Sequence, residues 1–281
     1  KSASGESLVK ADLRDSTPHE DALRAALRVL PEYHPIDSLK AVGHRIVFGG
    51  PEHSGPRVLN ESVVTELESY IPFAPLHQPY NLAGVQAAIE AFPDAVLVGC
   101  FDTAFHRSQS WLQDAFALPR EWFDRGVRRY GFHGLSYEYV ASVLRVEYSK
   151  VAQGRVIVAH LGNGASMCAL HDTVSVDSTM GFTALDGLPM GTRCGQLDPG
   201  VVLYMFDQLK MSAESITDLL YRESGLKGLS GVSNDMRELL SSEVESARDA
   251  VRYFVSRIQR EIGALSAVLQ GIDGLVFTAG I

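Results

Sequence analysis

Cysteine is scarce in this 281-residue chain, which holds only Cys100, Cys168 and Cys194. An odd, scattered set fits neither a disulfide framework nor zinc-ligand spacing, so a reducing cytoplasm is the expected environment. No apolar run reaches the length of about 18 residues that a membrane helix needs, and no membrane role is expected. The opening stretch KSASGESLVKADLRD is polar, so no secretory leader is expected either. Basic residues never cluster beyond Arg128-Arg129, and the formal net charge is −9, which disfavours a nucleic-acid partner. A Walker-type phosphate loop is missing, as are internal repeats and low-complexity segments. What remains is 46% apolar and 21% charged, the composition of a globular protein long enough for two domains.

The most informative stretch is DSTMGFTALDGLPMGTRCGQLDP, from Asp177 to Pro199. It gathers Gly181, Gly187, Gly191 and Gly195 around Arg193. Glycine suits sharp turns and close backbone approach to a ligand, and arginine offers a planar fork of donors for carboxylate or phosphate oxygens. The stretch therefore reads either as an anion site or as a surface loop with a solvated arginine. Cys194 adjoins Arg193, but no base is evident beside it, so it is not read as a nucleophile.

Local patterns supply the scaffold. Thr17-Pro18-His19-Glu20 reads as a capping box opening a helix to about Leu30. Val42–Phe48 and Ala95–Phe101 read as strands, the second apolar enough to be covered on both faces. Between them Asn60 caps a helix to about Tyr70, and Asn81–Phe92 forms another. Arg155–Leu161 and Ser166–His171 flank the turn Gly162-Asn163-Gly164, a hairpin signal, and Asp273–Ala279 adds a buried strand. Ala247, Val251, Phe254, Ile258, Ile262, Leu265 and Leu269 trace one face of a helix from about Glu243 to Gln270, a core or dimer face. The alternation points to an α/β protein with a mixed sheet.

Beyond the Arg193 stretch, the chain contains in order GHRIVFGG (43–50), APLHQP (74–79), FDTAFH (101–106), RRYGFHG (128–134), HLGNGAS (160–166), SGVSNDMRE (230–238) and FTAGI (277–281). This series resembles the acetate kinase family of carboxylate kinases, whose superfamily also includes sugar kinases, actin and chaperone ATPases. The resemblance implies a two-domain ribonuclease H-like (actin-like ATPase) fold with mixed central sheets and flanking helices, divided here into 1–104 and 105–281. It further implies ATP/ADP and acetate/acetyl phosphate as substrates, Mg2+ as cofactor, and a cytoplasmic homodimer. The family opens with a strand and a serine-rich phosphate loop, and continues past the AGI segment with a portion bearing a metal-binding acid. Neither stretch is found in this sequence, which therefore reads either as a fragment or as segments of a longer protein.

Carried over residue by residue, the resemblance makes Arg45, Asp102, His133 and Arg193 the catalytic set, meeting in one cleft. Arg45 and Arg193 would grip the carboxylate and the phosphoryl group, and His133 would donate a hydrogen bond to the phosphoryl oxygens. Asp102 would orient Mg2+ indirectly. Val47, Leu76, His77, Phe132 and Ala184 would line the acid pocket. His160, Gly162, Asn163, Gly164, Asp235, Met236, Arg237 and Gly280 would contact the nucleotide. The chain departs from the family at Phe48, Leu135 and Tyr137, where histidine, threonine and a second histidine are usual; these positions are read as lying outside the transfer chemistry. Ala184 stands where many members have proline, which leaves room for an extra methylene and keeps propionate open as the substrate. A non-catalytic nucleotide-binding protein of the same fold is the reading from another class.

Overall fold

The computed structural model describes residues 25, 27–29, 32, 39–75 and 77–281. The capping box at Thr17 to Glu20 and the pocket position Leu76 lie outside them. The chain divides into two compact units, Lys1–Phe101 and Asp102–Ile281.

The first unit holds a three-stranded sheet of β1 (Ala41–Ile46), β2 (Arg57–Val58) and β3 (Val96–Phe101) in the order β1-β3-β2. β1 runs parallel to β3, with Arg45 opposite Cys100, and β2 pairs antiparallel. Two-sided cover was expected for β3 from its apolar run, but Leu97, Gly99 and Phe101 are buried while Val96 is 47% exposed. Side-chain alternation along a strand separates the two sets, and composition alone cannot tell which face is closed. Asn60 caps the Glu61–Ser69 helix, its side chain accepting from the Val63 amide at 3.0 Å. The next helix spans Gln78–Ala91 and so begins three residues before the expected Asn81. Pro79 presets the first turn, and the Asn81 carboxamide is engaged elsewhere, accepting from the Val47 amide at 2.9 Å.

The second unit is built on a mixed four-stranded sheet, β6-β5-β4-β7, of β4 (Arg155–Leu161), β5 (Ala165–His171), β6 (Val174–Ser178) and β7 (Gly274–Thr278). Only β4 and β7 pair in parallel. Helices cover both faces. Tyr137, Val140, Ala141 and Leu144 of the Gly134–Glu147 helix, at helical spacing, pack on Val156, Val158, Cys168 and Leu170. The alternate residues Ile157, Ala159, Met167 and Ala169 are also fully buried, and the Glu245–Leu269 helix packs against β4, β5 and β6. Of its predicted stripe, Ala247, Phe254, Leu265 and Leu269 are buried and the other three members half-buried, as a core face requires. Among the described residues, no helix is long and apolar enough to cross a membrane.

Candidate active site

Three loops of the second unit meet at the tip of the β4–β5 hairpin. Leu161 pairs with Ala165, leaving Gly162-Asn163-Gly164 as the tip, and none of the three has a positive φ. The hairpin is therefore not the two-residue Asn-Gly turn that needs left-handed residues. A β-carbon on Gly164 would lie 3.4 Å from His133 Nε2 and 3.8 Å from Arg193 Nη1, so histidine and arginine flank the same piece of backbone.

His133 is held from several sides. It occupies a left-handed conformation (φ 58°) as N-cap of the Gly134–Glu147 helix, and the Gly134 amide donates to the Asp102 carbonyl at 2.8 Å. Its Nδ1 lies 2.8 Å from Ser166 Oγ, and its ring stacks on that of His160 at 4.3 Å. His160 Nδ1 is in turn 2.9 Å from Ser136 Oγ. His106, fully buried, bonds Ser175 Oγ through Nδ1 (2.8 Å) and the Phe132 carbonyl through Nε2 (3.0 Å). A carbonyl only accepts, so Nε2 of His106 carries the proton; burial, together with nearby Arg107, pushes its pKa down to about 4 against that bond. This neutral ring sits against Gly131, where a β-carbon would approach within 2.5 Å. The loop carrying Phe132 and His133 is thereby fixed.

Arg193 comes from the glycine-rich stretch, which is folded by its own backbone. The Met190 amide donates to the Arg193 carbonyl (3.0 Å), and the Leu226 and Lys227 amides donate to the carbonyls of Met190 and Gly191. Gly195 adopts φ +70°, a conformation that disfavours a side chain. Gly191 is needed for proximity: its amide donates to the Asn163 carbonyl at 3.1 Å, and a β-carbon there would fall 2.2 Å from Asn163 Oδ1. The guanidinium, half-buried, donates to the Ala184 carbonyl at 3.0 Å and contacts Met190 Sδ at 3.7 Å. Among the described residues no carboxylate pairs with it, and burial lowers its pKa from the ordinary arginine value. A desolvated cation without a counter-ion is costly unless an anion completes the site.

The remaining nucleotide candidates border the hairpin. Asn234 Nδ2 reaches Asn163 Oδ1 at 3.4 Å, and the adjacent Asp235 caps the Met236–Ser241 helix. The Arg237 side chain pairs with Asp235 and holds that carboxyl down at a pKa of about 2. Gly280 has open space around it, and the Ile281 amide donates to the Leu161 carbonyl at 2.9 Å. In the first unit, Val47 is tied to His77 through Asn81, whose side chain takes the Val47 amide and whose amide donates to the His77 carbonyl. Arg45 is exposed near the end of β1.

A separate cavity of about 280 Å³ lies near Arg129, Asp177, Asp186 and Glu261, and none of His133, Asn163 or Arg193 lines it. Cys194 has its thiol pKa raised by burial, consistent with no nucleophilic role.

The Tyr137 position, read from the sequence as lying outside the transfer chemistry, has its hydroxyl bonded to Ser166 Oγ, which also meets His133. Sequence reading also missed Ser166 and Ser136. The signal was present, because both lie inside or beside the HLGNGAS and YGFHG motifs, but pairing across 33 and 24 residues is set by the fold. Phe48 has a plain packing role, stacked on Phe73 at 5.5 Å.

Fold and site together define a two-unit α/β protein of the actin-like ATPase fold whose second unit presents, beside a histidine and a glycine hairpin, an arginine with no carboxylate partner among the described residues. The family model of the acetokinase family matches residues 3–281, and the chain belongs to that family. It is 59% identical to the acetate kinase of Methylocella silvestris over 267 residues, covering 95% of this chain and 66% of that protein. It is 56% identical to the acetate kinase of Nitrobacter hamburgensis, covering 92% and 62%. Among solved structures, Porphyromonas gingivalis acetate kinase superposes with a TM-score of 0.84 at 39% identity, covering 95% of this chain and 69% of that one. A propionate kinase from Francisella tularensis superposes with a TM-score of 0.88 at 35% identity, covering 94% and 69%. The chain thus spans about two thirds of the length of the curated relatives it matches.

Proposed function

We propose that this protein is an ATP-dependent acetate kinase, transferring the terminal phosphoryl group of ATP directly to a carboxylate oxygen and, in reverse, from acetyl phosphate to ADP. The observation that carries the proposal is Arg193, a half-buried cation with no carboxylate partner among the described residues, beside His133 and the hairpin tip. Family membership narrows the anion it awaits. Phosphoryl transfer to a carboxylate brings like charges together, so catalysis is mostly alignment and charge neutralisation. In this reading Arg193 and Arg45 hold the carboxylate and the transferring group in line, and His133 donates to the phosphoryl oxygens as charge develops. The Gly162-Asn163-Gly164 backbone, with His160, Asp235, Met236, Arg237 and Gly280, receives ATP.

Mg2+ would neutralise phosphate charge. In this reading the ion is carried mainly by phosphates and water, with Asp102 orienting it. The proposed assembly is a homodimer, for which exposed Leu203, Tyr204 and Phe206 offer an apolar face.

Val47, Leu76, His77, Phe132 and Ala184 form the proposed acid pocket. The Ala184 carbonyl accepts from Arg193, which favours placing this residue beside the carboxylate. Propionate is the second reading, favoured by the small side chain at Ala184. ATP-dependent acyl hydroxamate formation with acetate, propionate and butyrate tests both. The proposal expects acetate or propionate to be used well above butyrate; no hydroxamate with any acid would overturn it.

A further inference from the structure

The ring of His133 is one member of a buried chain of hydroxyls. Tyr137 is fully buried, and its hydroxyl meets Ser166 Oγ; Ser166 is fully buried, and its Oγ also lies 2.8 Å from His133 Nδ1. Among the described residues, neither hydroxyl has another recorded partner. Three groups and two hydroxyl protons then have one arrangement that uses every proton: the Tyr137 hydroxyl donates to Ser166, and Ser166 donates to Nδ1. The reverse direction, with Nδ1–H donating to Ser166 and Ser166 donating to Tyr137, strands the tyrosine proton without an acceptor in a dry core. Burial pushes the Tyr137 phenol well above its ordinary pKa of 10.0, so the donor keeps its proton.

We propose that Tyr137 and Ser166 are positioning residues that fix His133 as the Nε2–H tautomer, aiming a hydrogen-bond donor toward Gly164 and Arg193. The importance of that tautomer for turnover rests on the kinase reading above; the tautomer itself does not. With the opposite tautomer, the Nε2 lone pair would face the phosphoryl oxygens and repel them. Tyr137 is the terminal donor of the chain, fully buried and joined to the ring through Ser166. The second ring of the stack, His160, is oriented by a hydroxyl too, Ser136 Oγ at 2.9 Å from its Nδ1.

Long-range 1H–15N correlation of histidine-labelled protein distinguishes the ring tautomers, with His133→Gln providing the assignment. Wild type is expected to show His133 as Nε2–H, and Tyr137→Phe and Ser166→Ala to show a mixture containing Nδ1–H. In the hydroxamate assay, kcat in both variants should fall about tenfold, the effect of one lost hydrogen bond, with KM for the acid within about twofold. If Ser166→Ala does not fold, the isosteric Tyr137→Phe decides alone. A wild-type His133 protonated on Nδ1, or populations unchanged in the variants, would overturn the relay. Correct tautomer shifts in a protein that makes no acyl phosphate would uphold the relay and refute the kinase reading instead.

Discussion

Replacing Arg193 should separate stability from activity, because its guanidinium is half-buried with no carboxylate partner among the described residues. Arg193→Ala removes a single hydrogen bond to a carbonyl oxygen, at 3.0 Å, and a weak contact to Met190 Sδ. Losing such a bond costs about 1 kcal/mol, while removing an uncompensated, partly desolvated charge returns a comparable amount. The two effects nearly cancel, so urea or thermal unfolding should show a change within about 1 kcal/mol. Catalysis should respond differently. Taking away a preorganised donor aimed at developing charge lowers kcat by about 10²- to 10³-fold. Arg193→Lys keeps the charge but can supply neither the planar fork nor the Ala184 bond at the same time, so it should also show a large fall with the fold intact. The assay pairs unfolding curves with ATP-dependent hydroxamate formation on the same preparations. Near-normal turnover in folded Arg193→Ala would refute the assignment, and so would a stability loss of about 4 kcal/mol, the mark of a structural ion pair.

Other outcomes follow from the same packing. Gly191→Ala puts a β-carbon 2.2 Å from Asn163 Oδ1, so the hairpin tip must shift; KM for ATP should rise about tenfold while secondary structure by circular dichroism is unchanged. His106 is neutral in the fold, with its pKa lowered from 6.5 to about 4 by burial. The unfolded chain therefore binds the extra proton first as pH falls, and stability is lost between pH 6.5 and about 4, by about 3 kcal/mol. Unfolding curves across that window should flatten in a folded His106→Gln variant. Cys168, its thiol pushed up to about 12 by burial, should resist iodoacetamide at neutral pH until the protein unfolds. Ala184→Pro should shift the ratio of kcat/KM for acetate over propionate upward by up to about tenfold; an unchanged ratio would leave pocket depth to Val47, Leu76 and Phe132.

Much of this architecture was legible in the residues, for identifiable reasons. Asn60, the β4–β5 hairpin and the stripe on the Glu245–Leu269 helix are local signals, and they appear close to where capping and periodicity put them. The Gln78–Ala91 helix begins three residues before the expected Asn81, whose carboxamide serves the distant Val47 amide. β6 left no local signature; five residues with two buried serines become a strand only by pairing with β5. For the candidate site, Arg193, His133 and Asn163 were singled out by their motifs. Their juxtaposition at Gly164 and Gly191 was not readable, nor was the Tyr137–Ser166 link, since both depend on contacts between segments far apart in sequence.

The central claim is direct phosphoryl transfer from ATP to a carboxylate, and one spectrum tests it. In 31P and 13C NMR of the protein with ATP, Mg2+ and carboxyl-labelled acetate, the account predicts acetyl phosphate, recognised by coupling between carboxyl carbon and phosphorus, in step with ADP. With Arg193→Ala in place of wild type, both products should appear at least about a hundredfold more slowly. ADP accumulating with free phosphate and no carbon–phosphorus coupling, across acetate and propionate alike, would contradict it.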